Sequence, residues 1–176
     1  LLESLGHKVD MIKVPLNIEE LTEHYLTYYG FLSFMTNKFG RLVLGSKVDQ
    51  SVLEPFTVGL MNTFIKNKFM LPKSLRVLKK SARETEAILE KDYDLIMTSV
   101  STITTPKIGY FAPTLDYDEI AKRASAFATF LPLFNISGSP AISLPLGTDR
   151  NNMPVGVQFA APYGQDALLL ELALEL

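Results

Sequence analysis

With 176 residues, 47% hydrophobic and 20% charged, the chain is long enough for one domain with a sizeable core and too apolar for disorder. A formal charge of −2 gives no sign of the clustered basic surface of a nucleic-acid binder, so no nucleic-acid partner is expected, and no apolar run reaches the roughly 18 residues a membrane span needs. The absence of cysteine excludes a disulfide framework, a thiolate nucleophile and a cysteine metal site.

The opening LLESLG reads as the last turns of a helix closed by Gly6. It has no basic stretch followed by an apolar one, so no secretory signal is expected and a cytoplasmic location is the default. KVDMIKV then alternates at Val9, Met11, Ile12 and Val14 and meets Pro15, which predicts a short strand. Asn17 with Glu20 three residues on fits a capping box and opens a helix through Leu21, Tyr25, Tyr28 and Leu32. Gly30 is expected to end or bend it, and Gly40 to Gly45 to break the chain. Ser51 with Glu54 gives a second capping box for a helix running to about Lys68.

A third helix is predicted from Pro72 or Ser74, with Leu75, Leu78, Ala82 and Leu89 on one face. Lys79, Lys80, Arg83, Glu84 and Glu86 read as its solvated face, with Lys80 and Glu84 spaced to pair. Asp92–Val100 is a compact apolar run suited to a buried strand. A Thr-, Pro- and Gly-rich loop follows, and Asp116 with Glu119 caps a helix bearing Ile120, Ala124, Phe127, Ala128 and Leu131. Pro132 is expected to bound it. AISLPLG and PVGVQFA read as two strands joined through TDRNNM, and Asp166 starts a terminal helix. That helix stops without a cap, so both ends read as cut and residues 1–176 as one fragment of a longer domain. The order of elements predicts an α/β class, a mixed sheet flanked by helices.

Candidate chemistry is sparse. Ser137 and Ser139 flank Gly138, but a serine nucleophile needs a base and oxyanion donors. The G-x-S-x-G elbow is not matched, and His7 and His24, the only histidines, lie far off in sequence. A turn feeding a strand explains Ser139 more simply. Gly40 to Lys47 is nearly a phosphate-binding loop, yet Ser46 and Lys47 stand in the wrong order and no clean strand precedes them. Asp116, Asp118 and Glu119 suggest paired carboxylates, although capping accounts for Asp116 and Glu119. The two histidines and missing H-E-x-x-H leave little for a metal site, so no metal or cofactor is expected. Tyr25, Tyr28, Tyr29, Phe31 and Phe34 form an aromatic stripe read as core or partner interface.

The stretch FLPLFNISGSPAISLPLGTDRNNMPVGVQF resembles the C-terminal part of the amidase signature family. That family carries a segment like N-x-[ST]-G-x-P-A-[IL]-S-x-P-x-G followed by G-x-P-[VI]-G-[VL]-Q. Asn135, Gly138, Pro140, Ala141, Ser143, Pro145, Gly147, Pro154, Gly156 and Gln158 fit, whereas Met153 stands where the family usually has Gly. Asp94–Thr98 resembles the family's D-x-[LIV]-[LIV]-T-P-T strand, with Ser99 and Val100 replacing Pro-Thr. Among subgroups the phrase is most similar to the bacterial 6-aminohexanoate-cyclic-dimer hydrolase type. The resemblance implies amide hydrolysis by a Ser–cis-Ser–Lys triad in a G-G-S-S-G-G-S segment and an upstream lysine. None of this chain's serines carries that glycine pattern, so no catalytic residue carries over.

What the resemblance implies for this chain is a C-terminal portion that completes a sheet and lines part of a pocket for a small amide. Asn135, Ser137, Gly138, Ser139 and Gln158 are the expected pocket-lining or loop-anchoring residues. The expected partner is an N-terminal catalytic portion, with a homodimer possible through apolar area that portion would cover. Two other readings stand beside it: a binding or assembly module without catalysis, and part of the A-type subunit of an amidotransferase, the only one of the three in which a nucleic-acid partner is expected.

Overall fold

A computed structural model describes residues 1–13 and 17–176, apart from the side chain of Val43. Helix α1 (Ile18–Val43) starts as predicted, with Asn17 accepting a hydrogen bond from the Glu20 amide at 3.2 Å. It does not end at Gly30. A Cβ there would lie 2.5 Å from the Leu60 carbonyl and 2.9 Å from Phe64 Cβ, so the glycine serves close helix–helix approach. The kink comes later, at Phe39, where φ is −114° and ψ 24°. Phe31 and Phe34 both place their rings 5.5 Å from Phe64, so the aromatic stripe is in part core.

The second predicted capping box does not form. Asp49 instead accepts from both the amide and hydroxyl of Ser51, closing a short turn at Gln50–Val52. Those bonds hold the Asp49 carboxyl below its ordinary range. Helix α2 (Pro55–Asn67) then begins on Pro55, whose ring is already set for a first helical turn. Helix α3 (Leu71–Lys91) carries Pro72 in its first turn, and Lys80 pairs with Glu84 at 3.6 Å as its spacing predicts. Its buried face is Ser74, Leu78, Ser81, Thr85 and Leu89, while Leu75 stays exposed. Small hydroxyl residues let neighbouring helices come close, and a pattern counted only in apolar residues places the face one step off.

Strand β1 (Ile96–Ser99), strand β2 (Ala141–Thr148) and strand β3 (Pro154–Ala160) form one sheet in the order β1-β3-β2, with antiparallel pairing throughout. The predicted β2–β3 hairpin is present. Asp149 Oδ1 accepts from the amides of Asn151 and Met153, and Asn152 takes a positive φ of 59°. The buried strand expected at 92–100 is shorter and lies at the edge of this sheet, with Met97 49% exposed. Residues 8–13 form no strand, since their alternation finds no partner among the described residues. Val14 and Pro15 lie outside those residues.

Helix α4 (Tyr117–Phe127) is capped as expected, Asp116 accepting from the Glu119 amide at 2.9 Å. Pro132 does not bound a helix but opens one: α5 (Leu131–Ser137) carries it in the first turn. Helix α6 (Asp166–Glu175) completes the described chain.

The central strand β3 sorts the core into two layers by its period of two. Ala160 and its neighbour Ile96 pack with Leu21, Leu78, Leu89, Leu133 and Phe134 from α1, α3 and α5. Phe159 faces the other way, into Leu169 and Leu172 of α6. The predicted α/β class therefore holds, with helices on both faces of an antiparallel sheet. No described helix is long and apolar enough to cross a membrane.

Candidate functional site

The Ser137–Ser139 stretch is a helix end before it is anything else. Ser137 is the last residue of α5, and Gly138 at φ 77° closes the helix by donating its amide to the Phe134 carbonyl at 3.0 Å. That left-handed conformation is costly for any residue with a Cβ, which explains the glycine. The turn then delivers the chain to β2, where the Ala161 amide reaches the Pro140 carbonyl at 3.0 Å.

Both hydroxyls are engaged. The Ser137 and Ser139 Oγ atoms lie 2.7 Å apart, and the Ser139 amide donates to Ser137 Oγ at 3.3 Å. Ser139 is 8% exposed and donates its hydroxyl proton to Glu86 Oε2 at 3.0 Å. Glu86 Oε1 in turn accepts from the Tyr163 amide at 2.7 Å. One carboxylate on α3 thus ties the α5–β2 turn to the β3–α6 loop. Charge patterning puts Glu86 on the solvated face of α3; its place beside the signature turn is the correction. Its position, i+4 from Ala82 and i−3 from Leu89, flanks the apolar stripe and is the one signal that could have flagged it.

No histidine serves the serines. His24 is buried between α1 and α3, with Nδ1 3.0 Å from Ser74 Oγ, and His7 pairs with Glu175 at 3.2 Å. Ser139 already donates a hydrogen bond to an anchoring carboxylate, beside which a serine alkoxide would be disfavoured. The geometry is that of a clamped turn.

The remaining predicted residues sit close by without joining this network. Asn135, on α5, donates from Nδ2 to Tyr25 Oη at a long 3.4 Å. Partial burial, then a hydrogen bond with Tyr29, push the Tyr25 phenol from 10.0 to about 12, with Asn135 pulling the other way. Gln158 is 7% exposed in the middle of the sheet, paired in register with Thr98 on one side and Ser143 on the other. Its Nε2 reaches Thr98 Oγ1 at 3.4 Å, so it braces the strands. Gly156 leaves room for Val100, whose Cγ2 would stand 2.9 Å from an added Cβ.

Elsewhere the sequence candidates resolve into structure. Gly40 lies inside α1 and makes room for Ser46 and Val48 rather than for a phosphate, and Asp116 is a cap. Among the described residues no three His, Asp or Glu side chains gather to hold a metal ion. Two cavities are notable among the described residues. One of about 540 Å³ is bounded by Asp92, Tyr93, Asp94, Pro162 and Tyr163, behind the Glu86 clamp. The other, of about 320 Å³, lies between α1 and α2.

Comparison with known proteins gives this geometry a context. The family model described as Amidase matches residues 1–170. A Mycobacterium leprae (strain TN) protein bearing the provisional name amidase AmiC is 40% identical over the whole chain, which spans 37% of that protein's length. The 6-aminohexanoate-cyclic-dimer hydrolase of Paenarthrobacter ureafaciens is 39% identical over 102 residues, covering 54% of this chain and 20% of that one. A solved structure of 6-aminohexanoate cyclic dimer hydrolase superposes with a TM-score of 0.79 at 26% identity, over 98% of this chain and 37% of that one. The A-type subunit of the Thermotoga maritima glutamyl-tRNA(Gln) amidotransferase superposes at 0.62 with 28% identity, over 94% of this chain and 33% of that one.

Proposed function

The chain belongs to the amidase family, and from that premise we propose that it forms the C-terminal part of an amide-bond hydrolase. In this reading it completes the catalytic sheet and lines part of the pocket for a small amide, as one structural portion. The nucleophilic chemistry comes from a Ser–cis-Ser–Lys set outside these 176 residues. The observation that carries the reading is the Glu86 clamp, which makes the signature serines of a family-matched segment into anchors. A motif kept in the shape that such clamping imposes presents a rigid wall, and rigid walls are what substrate positioning requires.

Asn135, Ser137, Gly138, Ser139 and Gln158 are then loop-anchoring residues, with Glu86 added to them. The A-type subunit of an amidotransferase is the second reading, favoured by the Thermotoga maritima relative. The hydrolase reading has more support, from the higher TM-score of 0.79 and the higher identities of 40% and 39%.

The test uses a longer polypeptide in which this chain is preceded by its upstream coding sequence. It is expected to hydrolyse simple amides or 6-aminohexanoate cyclic dimer. Ser139→Ala should then lower turnover by no more than about 100-fold, the size of a misplacement effect. A loss on the order of 10⁶, as removal of a triad serine produces, would overturn the assignment.

A further inference from the structure

The formal charge of −2 conceals a sharp segregation. Residues 55–83, from the start of α2 to the middle of α3, hold seven of the 17 Lys and Arg and none of the 19 Asp and Glu. The other residues hold ten basic groups against those 19 acidic ones. Folding concentrates the segment further. On α3 the exposed Lys73, Arg76, Lys79, Lys80 and Arg83 fall within about 120° of arc and about 15 Å of length, by the geometry of an α-helix. The buried Ser74, Leu78, Ser81 and Thr85 occupy the opposite side. Leu78 packs in the layer against Ile96 and Ala160 of the sheet, so the basic stripe points away from the sheet. Of its five cations only Lys80 has a carboxylate partner among the described residues, Glu84 at 3.6 Å.

The stripe begins at an apolar corner. Residues 65–69, where α2 passes into α3, are all exposed. Ile65 is 47% and Phe69 86% exposed, with Lys66 and Lys68 between them, and the Lys68 ammonium stands 5.3 Å from the Phe69 ring centre. Met70 and Leu71 keep helical dihedrals, so Phe69 stands one turn ahead of Lys73 on the same side. Leu75, 45% exposed, borders the stripe one turn before Lys79. Apolar side chains set among cations meet two needs at once, removal from water and an anionic counter-surface. An anionic bilayer answers both, since apolar groups reach its acyl boundary while ammonium and guanidinium groups stay with the headgroups. A nucleic-acid strand answers less well. Such strands are tracked by grooves, whereas this stripe is a ridge on a convex helix, and Ile65 and Leu75 gain nothing from phosphates.

We propose that the outer face of α3, with the α2–α3 corner, is a docking surface for a bilayer rich in anionic lipid. Phe69 and Ile65 enter the headgroup region, and the five α3 cations lie along the anionic plane. The surface does not depend on the hydrolytic reading, because binding is measured here without turnover.

The test is co-sedimentation of the 176-residue chain with phosphatidylcholine vesicles, either pure or with about 30% phosphatidylserine, at ~0.1 M and ~0.5 M salt. Binding is expected only with the anionic vesicles, and weaker at the higher salt. Combining Lys73→Gln, Arg76→Gln and Arg83→Gln is expected to weaken partitioning ~100-fold. Combining Lys8→Gln, Lys107→Gln and Arg150→Gln, exposed positions outside the stripe with the same change in net charge, is expected to weaken it less than ~3-fold. Phe69→Ser is expected to weaken it ~10-fold. Equal binding of neutral and anionic vesicles, no binding, equal effects of the two triple variants, or an unaffected Phe69→Ser variant would overturn the proposal. Tighter binding of a labelled single-stranded oligonucleotide that Phe69→Ser leaves unchanged would also overturn it and assign the stripe to nucleic acid. The lipid series on the unaltered chain decides even if a variant misfolds.

Discussion

Glu86 accepts from Ser139 Oγ at 3.0 Å and from the Tyr163 amide at 2.7 Å, partners 53 and 77 residues away along the chain. Replacing it with alanine leaves a buried hydroxyl and a loop amide without their acceptor. Glu86→Ala should therefore lower stability by about 1–3 kcal/mol in urea unfolding, and Glu86→Gln by less, because one carbonyl oxygen remains. Tyr25 offers a separate check at this scale. Its folded pKa stands above the unfolded value, so its contribution is fully present below pH 10 and is lost as pH rises from 10 towards about 12. An ultraviolet titration should show one phenol ionising late, and Tyr25→Phe should remove that step. Gly138 and Asn135 are legible in the sequence because the family motif marks them. Glu86 is not, since two long-range bonds define its role and local charge patterning puts it with Lys80 and Glu84.

The helices are mostly readable from their local chemistry. The Asn17 and Asp116 caps, and the Asp149 turn between β2 and β3, use side chains that satisfy amides a few residues away. The errors over Gly30, the α3 face and β1 share one cause, which is packing against segments remote in sequence, whereas those over Ser51 and Pro132 are local. Gly30 lies inside α1 because α2 crosses there, and three of the five buried residues of α3 are Ser or Thr because other helices pack on that face. The apolar composition of β1 suggests a buried strand, yet composition does not say which strands flank it. The crossing makes a sharp prediction. Gly30→Ala raises local helix propensity by about 1 kcal/mol, but its methyl meets the Leu60 carbonyl. A net loss of about 1–3 kcal/mol is expected in thermal unfolding, as for other overpacked sites.

For the whole molecule, β3 divides the core between α1, α3 and α5 on one side and α6 on the other. The signature turn stands where α5 passes into β2, so its shape depends on three elements at once and it serves as scaffold. The exposed His7–Glu175 pair joins the first residues to α6 but is a surface contact. His7→Ala should change stability by less than about 1 kcal/mol. The α/β class is legible from the order of elements, whereas the two-layer core needs the register of β3. The most direct measurement is amide turnover by the purified 176-residue chain beside its Ser139→Ala variant. Serines held as anchors by Glu86, with no histidine beside them, predict no turnover in either, and turnover by the chain that disappears in Ser139→Ala would contradict the account.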